Sequence, residues 1–434
     1  MKLRKLLSLA LAGAMVLSLA ACGGSGDSSS DKGSSSKKSG DVTLQVAIWD
    51  SNQEPGLKEI MSDFTEKTGI KCEVTVTTWA DYWTMLSAGA QGGDLPDVFW
   101  MHANESVRYM SNEILLDLTD KIEESDVIDT DNYPADIWDL YSLDDKNYAV
   151  PKDVDTIALW YNKTMFDAAG IAYPTADWTW EDLIDAAQKL TIKDGNETTQ
   201  YGFVMSSDDY QEGYANWIYS YGGSMIDYDP LKSGFDKPET IEAMELLDTL
   251  LKSGAMPSQE IVSENAKDVL FSSGKVAMST MGSWMLAGLK ENDYVVENCD
   301  CVELPKSSKT GVTACIYNGL GWAASADTDY PDEAWQLIEY LGSKEAQTKQ
   351  AELGVTMSAF NGTSDTWINC APEFNLQAYL NMWENMYIYP HSRNTITWDD
   401  AMDAEFKKVW LGEQTMKEGC LNSAAAMNEV LADE

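Results

Sequence analysis

Hydrophobic and polar positions change period in blocks along the chain, and the blocks predict an α/β protein. Residues 43–49 (T-L-Q-V-A-I-W) alternate as a strand does, whereas Leu57, Ile60, Met61 and Phe64 recur at helical spacing as far as Gly69. Residues 70–77 predict a second strand. Strand, helix and strand in close succession imply a parallel pair with a right-handed crossover. The loop at 50–55 therefore falls at a carboxyl edge of the sheet, where open α/β folds bind ligands, and it carries Asp50, Asn52 and Gln53. Trp79, Tyr82, Trp83 and Leu86 predict a second helix. Residues 97–101 predict a short buried strand that brings Trp100, His102 and Asn104 to the same edge.

The stretch 150–162, V-P-K-D-V-D-T-I-A-L-W-Y-N, reads as the place where two such regions meet. Pro151 fixes φ and lacks an N–H, so a strand is expected to begin after it and run through Val154, Thr156, Ile157, Leu159 and Trp160. Asp153 and Asp155 stand at its start. Either they cap a solvated loop, or they are buried and need donors that a polar ligand would supply.

Beyond Asn162 the alternation resumes. Helices are predicted at 164–169, 179–190 with Thr179 as N-cap, 210–221, 238–251 and 263–271, and strands at 201–205, 275–280, 301–305 and 312–324. The remainder is mostly helical, including 398–410 and 415–431. Tyr210 and Tyr214, early in an aromatic helix, are candidates to face a cleft. Met281-Gly282-Ser283-Trp284-Met285 reads as strand, small-residue turn and helix, with Trp284 presented at the helix start.

At 434 residues the chain is too long for one ordinary core, so two lobes of about 150–200 residues each are expected. The formal charge of −41 speaks against nucleic acid and anionic lipid headgroups as partners, and makes polyanions poor ligands. A cationic ligand stays open.

Residues 1–22 read as a leader. Lys2, Arg4 and Lys5 precede an apolar run at 6–21 too short for a comfortable membrane span, and Leu19-Ala20-Ala21-Cys22 resembles a bacterial lipobox, in which Cys22 becomes the lipidated mature N-terminus. The Ser- and Gly-rich segment 23–40 is then a flexible tether. The expectation is an extracytoplasmic, lipid-anchored protein. Cys72, Cys299, Cys301, Cys315, Cys370 and Cys420 lack the spacing of a disulfide scaffold or a metal site. Buried free thiols, or one bridge such as Cys301 to Cys315, remain. No metal or cofactor is expected, and His102 lacks a nearby Ser or Cys partner for catalysis, which leaves a surface or hydrogen-bonding role.

Taken together, several segments resemble the extracellular solute-binding proteins of carbohydrate-uptake ABC transporters, the group that includes the maltose-binding proteins. They are A-Q-G-G-D-L-P-D-V-F at 90–99, V-P at 150–151 through Y-N-K at 161–163, W-T-W at 178–180, S-G-K-V-A-M at 273–278, M-G-S-W at 281–284, G-L-G-W at 319–322 and P-D-E-A-W at 331–335. Their order and spacing are specific to the family but not to one sugar.

The resemblance implies a periplasmic-binding-protein-like type II fold, two α/β lobes joined by hinge crossings around a ligand cleft. It puts one lobe at 41–153 and 306–357, the other at 154–305 and 358–434, with crossings near 153–157, 302–306 and 355–362. By the same resemblance Trp284 stacks on a sugar, Trp100 lines the cleft, Asp155 bonds hydroxyls and Trp398 supplies an aromatic from a late helix. Asp50, Asn52 and Gln53 match the polar loop more loosely. The family's acidic residue shortly after Trp100 is not matched, since Ala103 and Asn104 stand there. The implied role is non-catalytic. A monomer captures a carbohydrate and presents it to ABC permease subunits.

The residue types fit that chemistry. A pyranose has apolar C–H faces and an equator of hydroxyls, so it needs flat aromatic rings together with carboxylates and amides. Of 16 tryptophans, about four to six are expected in the cleft, because pockets use few placed groups. Two other classes stay open: a surface glycoside hydrolase, which requires two carboxylates about 5–10 Å apart, and a polyamine or oligopeptide receptor of similar architecture.

Overall fold

The computed structural model describes residues 42–206 and 210–434, so the leader, Cys22 and the tether lie outside the described residues. All of the described residues fall within one unit, Ser39–Glu434. Two sheets carry its core. In chain order their strands are β1 (Thr43–Ile48), β2 (Lys71–Val76), β3 (Val98–Met101), β4 (Ala149–Pro151), β5 (Ile157–Asn162), β6 (Met278–Gly282), β7 (Cys299–Val302) and β8 (Gly321–Ala324). The first sheet has the order β2-β1-β3-β8-β4, and the second β6-β5-β7.

In the first sheet β1 pairs in parallel with β2 and β3, as the strand–helix–strand pattern requires, and β8 adds antiparallel to β3. Helix α1 (Glu54–Thr68) crosses between β1 and β2. It buries Leu57, Ile60, Met61 and Phe64, each contributing about 1.5–3 kcal/mol, and stops at Gly69, whose φ of 79° suits glycine. Helix α2 (Trp79–Gly92) starts at Thr78, which caps the Asp81 N–H. The second sheet is wholly antiparallel, with β5 central and buried at every position.

The strand expected after Pro151 is split in two. Pro151 ends β4, an edge strand on which its missing N–H breaks no ladder bond, and residues 152–156 then cross to β5. Two other segments run beside this crossing. Asp155 and Asn318 exchange backbone hydrogen bonds of 2.7 and 3.3 Å, and the Val154 N–H donates to the Met357 carbonyl at 3.1 Å. Gly319 permits this approach, since a Cβ there would lie 2.1 Å from the Asp153 carbonyl oxygen.

The crossing expected at 302–306 is not where the chain changes sheets. Val302 still pairs with Leu159, and Lys306 bonds the backbone of Trp178 and Trp180. The change comes at 318–320, because the strand read at 312–324 breaks there. Cys315–Tyr317 pairs with Met386–Ile388, and β8 joins the first sheet. In the segment 355–362, Ser358 forms an isolated antiparallel bridge to Asp153.

Other predicted elements are shorter than expected. Residues 210–214 form a turn before a helix limited to Ala215–Ser220, and the strand at 201–205 is reduced to bridges from Tyr201 and Val204. The helix at 263–271 is two, Gln259–Glu264 and Lys267–Ser272. The six later cysteines are free. The Cys301 thiol donates to the Asn375 carbonyl and the Cys315 sulfur accepts from the Ile157 N–H, so the alternative of a bridge between them is not realised. Among the described residues no helix is long and apolar enough to cross a membrane.

Candidate functional site

A cavity of about 530 Å³ lies where the carboxyl ends of β1 and β3 face the turn after β6 and the crossing segments. That volume is within the range of small-molecule sites. The loop after β1 contributes Trp49, Asp50, Asn52 and Gln53, α2 contributes Trp79, and the end of β3 gives His102 and Asn104. Asp155, Asn318 and Leu320 come from the crossings, Trp284 and Met285 from the turn after β6. Tyr210, Gln211, Tyr389 and Asp399 complete the wall.

The polar loop is held from beneath. Asp50 accepts from the Asn52 N–H at 2.8 Å and from Gln53 Nε2 at 3.0 Å. The Gln53 carbonyl accepts from Lys152 Nζ at 2.9 Å, and that ammonium also donates to Asp153 at 2.5 Å. Lys152 and Asp153 are fully buried, and the ammonium lies 4.6 Å from the centre of the Trp100 ring. The other Asp153 oxygen accepts from the Leu320 N–H at 2.6 Å. With both ends of its amide engaged, Gln53 has one orientation.

Asp155 is buried and needs no ligand to satisfy Oδ1, which accepts from Ser283 at 2.8 Å and Thr356 at 3.0 Å. Burial, and then the neighbouring Asp153, push its carboxyl well above the usual carboxylate range, against the opposing pull of Lys152 and those two hydroxyls. A carboxyl that keeps its proton is a donor as well as an acceptor. His102 is also buried. Its Nδ1 lies 2.8 Å from Asn104 Oδ1 and its Nε2 2.7 Å from Asn318 Nδ2. Burial lowers its pKa to about 4, so it stands neutral at pH 7.

Trp284 owes its pose to Gly282. A Cβ at that position would come within 2.1 Å of the indole, so the ring folds back over bare backbone. The turn is anchored by Glu212, which accepts from the Gly282 N–H at 2.6 Å and pairs at 2.9 Å with the buried Lys267. On the other side Trp49 meets Trp79 edge-on at 5.0 Å, and His102 meets Tyr389 at 5.1 Å.

Of the nine candidates, Asp50, Asn52, Gln53, Asp155, Tyr210 and Trp284 line the cavity; Trp100, Tyr214 and Trp398 do not. Trp100 is fully buried because β3 is covered on both faces, and its ring lies behind Trp49 at 4.8 Å. Tyr214 turns inward to Phe406 and Phe235, with its hydroxyl on the Met402 sulfur. Trp398 is buried with its N–H on Ser392, and its neighbour Asp399 reaches the wall instead. Three tryptophans line the cavity, fewer than the four to six expected. Trp49 was missed, although it directly follows β1 on the edge that carries Asp50, Asn52 and Gln53. Asn318, Tyr389 and Asp399 carry no local signal. Among the described residues no cluster of His, Cys, Asp and Glu is arranged to hold a metal.

Known proteins resemble this chain in sequence and fold. The chain is 25% identical over 361 residues to the galactooligosaccharide-binding protein of Bacillus subtilis, covering 79% of this chain and 77% of that one. It is 24% identical over 374 residues to the multiple sugar-binding protein of Streptococcus mutans, covering 83% and 84%. An ABC substrate-binding protein of Listeria monocytogenes, solved in complex with cycloalternan, superposes with a TM-score of 0.82 at 24% identity over 90% of this chain and 99% of its own. That likeness gives the fold as periplasmic-binding-protein-like, type II. The family described as bacterial extracellular solute-binding protein matches residues 59–406, a span that takes in β2 to β8, the crossings and the cavity wall from Trp79 to Asp399. This protein belongs to the bacterial extracellular solute-binding proteins.

Proposed function

We propose that this protein captures a sugar or oligosaccharide in the cavity and delivers it to the permease subunits of an ABC importer. The observation that carries the reading is the make-up of the wall. Indoles from the first-sheet side (Trp49, Trp79) and from the turn after β6 (Trp284) enclose carboxylates and carboxamides, the surfaces a pyranose needs. The two relatives, one named for galactooligosaccharides and one for multiple sugars, support it.

The lobes of this reading divide at 152–156, 318–320 and 355–358, which moves the boundary expected at 305/306 to about 318. A ligand touching both lobes favours the closed state, and the permease recognises that state. Asp50, Asn52, Gln53 and Asp155 bond hydroxyls, and Trp284 and Tyr210 give apolar surface. The protein acts as a monomer without catalysis. Cys22 carries the lipid and 23–40 is the tether, so that metabolic labelling with palmitate marks the wild type but not Cys22→Ser.

Calorimetry with a saccharide panel, paired with small-angle scattering, tests the reading. Stoichiometric binding with compaction is expected. Accumulating cleavage products would instead identify a hydrolase. The wall bears Asp50 and Asp399 beside the protonated Asp155 and, among the described lining residues, no lysine or arginine, which also suits a polyamine. Polyamine binding would weaken steeply with salt, and neutral sugar binding would not.

A further inference from the structure

We propose that Asn318 is a ligand-binding residue whose side-chain oxygen accepts a hydrogen bond from a saccharide hydroxyl, and that His102 is the positioning residue that turns this oxygen toward the ligand. The inference rests on the saccharide reading above and adds a residue that neither local sequence pattern nor family motif singles out.

Asn318 lines the cavity at 2% exposure, and its Oδ1 is buried with no hydrogen-bond partner among the described residues. Buried carbonyl oxygens are nearly always paired, so an orphan in a cavity wall marks where a donor belongs. The orientation of the amide is fixed by its other end. Nδ2 lies 2.7 Å from His102 Nε2, and an amide nitrogen only donates, so Nε2 is the accepting nitrogen of a neutral imidazole. The ring proton is then on Nδ1, which donates to Asn104 Oδ1 at 2.8 Å; the Asn104 backbone N–H stands farther from the same nitrogen, at 3.2 Å, and is the weaker of its two contacts. The relay Asn104–His102–Asn318 uses every polar group of the imidazole and leaves Asn318 Oδ1 as the open acceptor.

The position adds a consequence. The Asn318 backbone exchanges hydrogen bonds with Asp155 on the neighbouring crossing, and Leu320, two residues on, bonds Asp153. A hydroxyl held at Asn318 is therefore attached to the join itself. Sugars lacking that hydroxyl lose affinity because the oxygen is left unpaired.

The test is calorimetry on the full chain with maltotriose, mannotriose, galactotriose and arabinotriose, continued with the tightest binder. Asn318→Ala should raise Kd about tenfold or more. His102→Leu should raise it with Asn318 intact, and His102→Gln, whose carboxamide oxygen can accept from Asn318 Nδ2, should regain part of the loss. Deoxy analogues give the reading that a merely structural role would not move. One hydroxyl whose removal weakens binding to the wild type should cease to matter in Asn318→Ala. If no saccharide binds the wild type, the saccharide reading and this inference fall together. If the wild type binds and Asn318→Ala binds equally well, or every deoxy penalty survives in it, only this inference falls. Should Asn318→Ala not fold, the two His102 variants decide: equal affinity in His102→Leu and wild type overturns the proposal.

Discussion

Gly282→Ala isolates what the pose of Trp284 is worth. The φ of Gly282 is −73°, a value alanine adopts freely, so the substitution carries no backbone penalty. Its Cβ would, however, fall 2.1–2.3 Å from three carbons of the Trp284 ring, well inside van der Waals contact. Those atoms are the far end of a half-buried side chain, so the ring swings away at little cost to the fold. Stability should change by less than about 1 kcal/mol. Binding should weaken by about 1–3 kcal/mol, the cost of losing an aromatic anchor, or roughly 5- to 150-fold in Kd. Trp284→Ala should cost about as much. The double variant should cost no more than either alone, since both remove the same stacking surface. Calorimetry with the best saccharide, alongside urea denaturation of the four proteins, measures both quantities. Wild-type affinity in Gly282→Ala, or fully additive losses in the pair, would refute the claim that the bare backbone at 282 sets the platform.

Two further outcomes follow from the buried groups. Lys152→Met leaves Asp153 buried without its ammonium, so unfolding free energy should fall by about 3–5 kcal/mol, and the release of Gln53 should weaken ligand binding as well; an unchanged urea midpoint would contradict this. His102 has a folded pKa of about 4, against about 6.5 when unfolded, so the unfolded chain binds the proton first. Its contribution is present above pH 6.5 and is lost as the pH falls to 4, by up to about 3 kcal/mol. The stability gap between wild type and His102→Gln should narrow over that window, and parallel profiles would count against a neutral His102.

Much of the scaffold was legible because local pattern decides it. The period of Leu57, Ile60, Met61 and Phe64, closed by Gly69, gave α1, and the β1–α1–β2 succession put Asp50, Asn52 and Gln53 at the sheet edge that lines the cavity. Trp49 stands one residue earlier on the same edge and was missed because it was read as the last residue of the strand. Trp100 was misplaced for the opposite reason. It ends a strand at the cavity edge, but only the sheet shows that both faces of β3 are covered.

What the chain by itself determined, then, is the alternation of elements, the sheet edge on which the cavity opens and the turn that displays Trp284, since all three depend on neighbours within a few positions. Tertiary structure alone decided where the chain changes sheets and which distant residues complete the wall. The break at 318–320 exists because Gly319 lets two backbones approach, and Asn318 reaches His102 across 216 positions of sequence. No periodicity encodes such a meeting; it is set by packing between elements that the sequence keeps far apart.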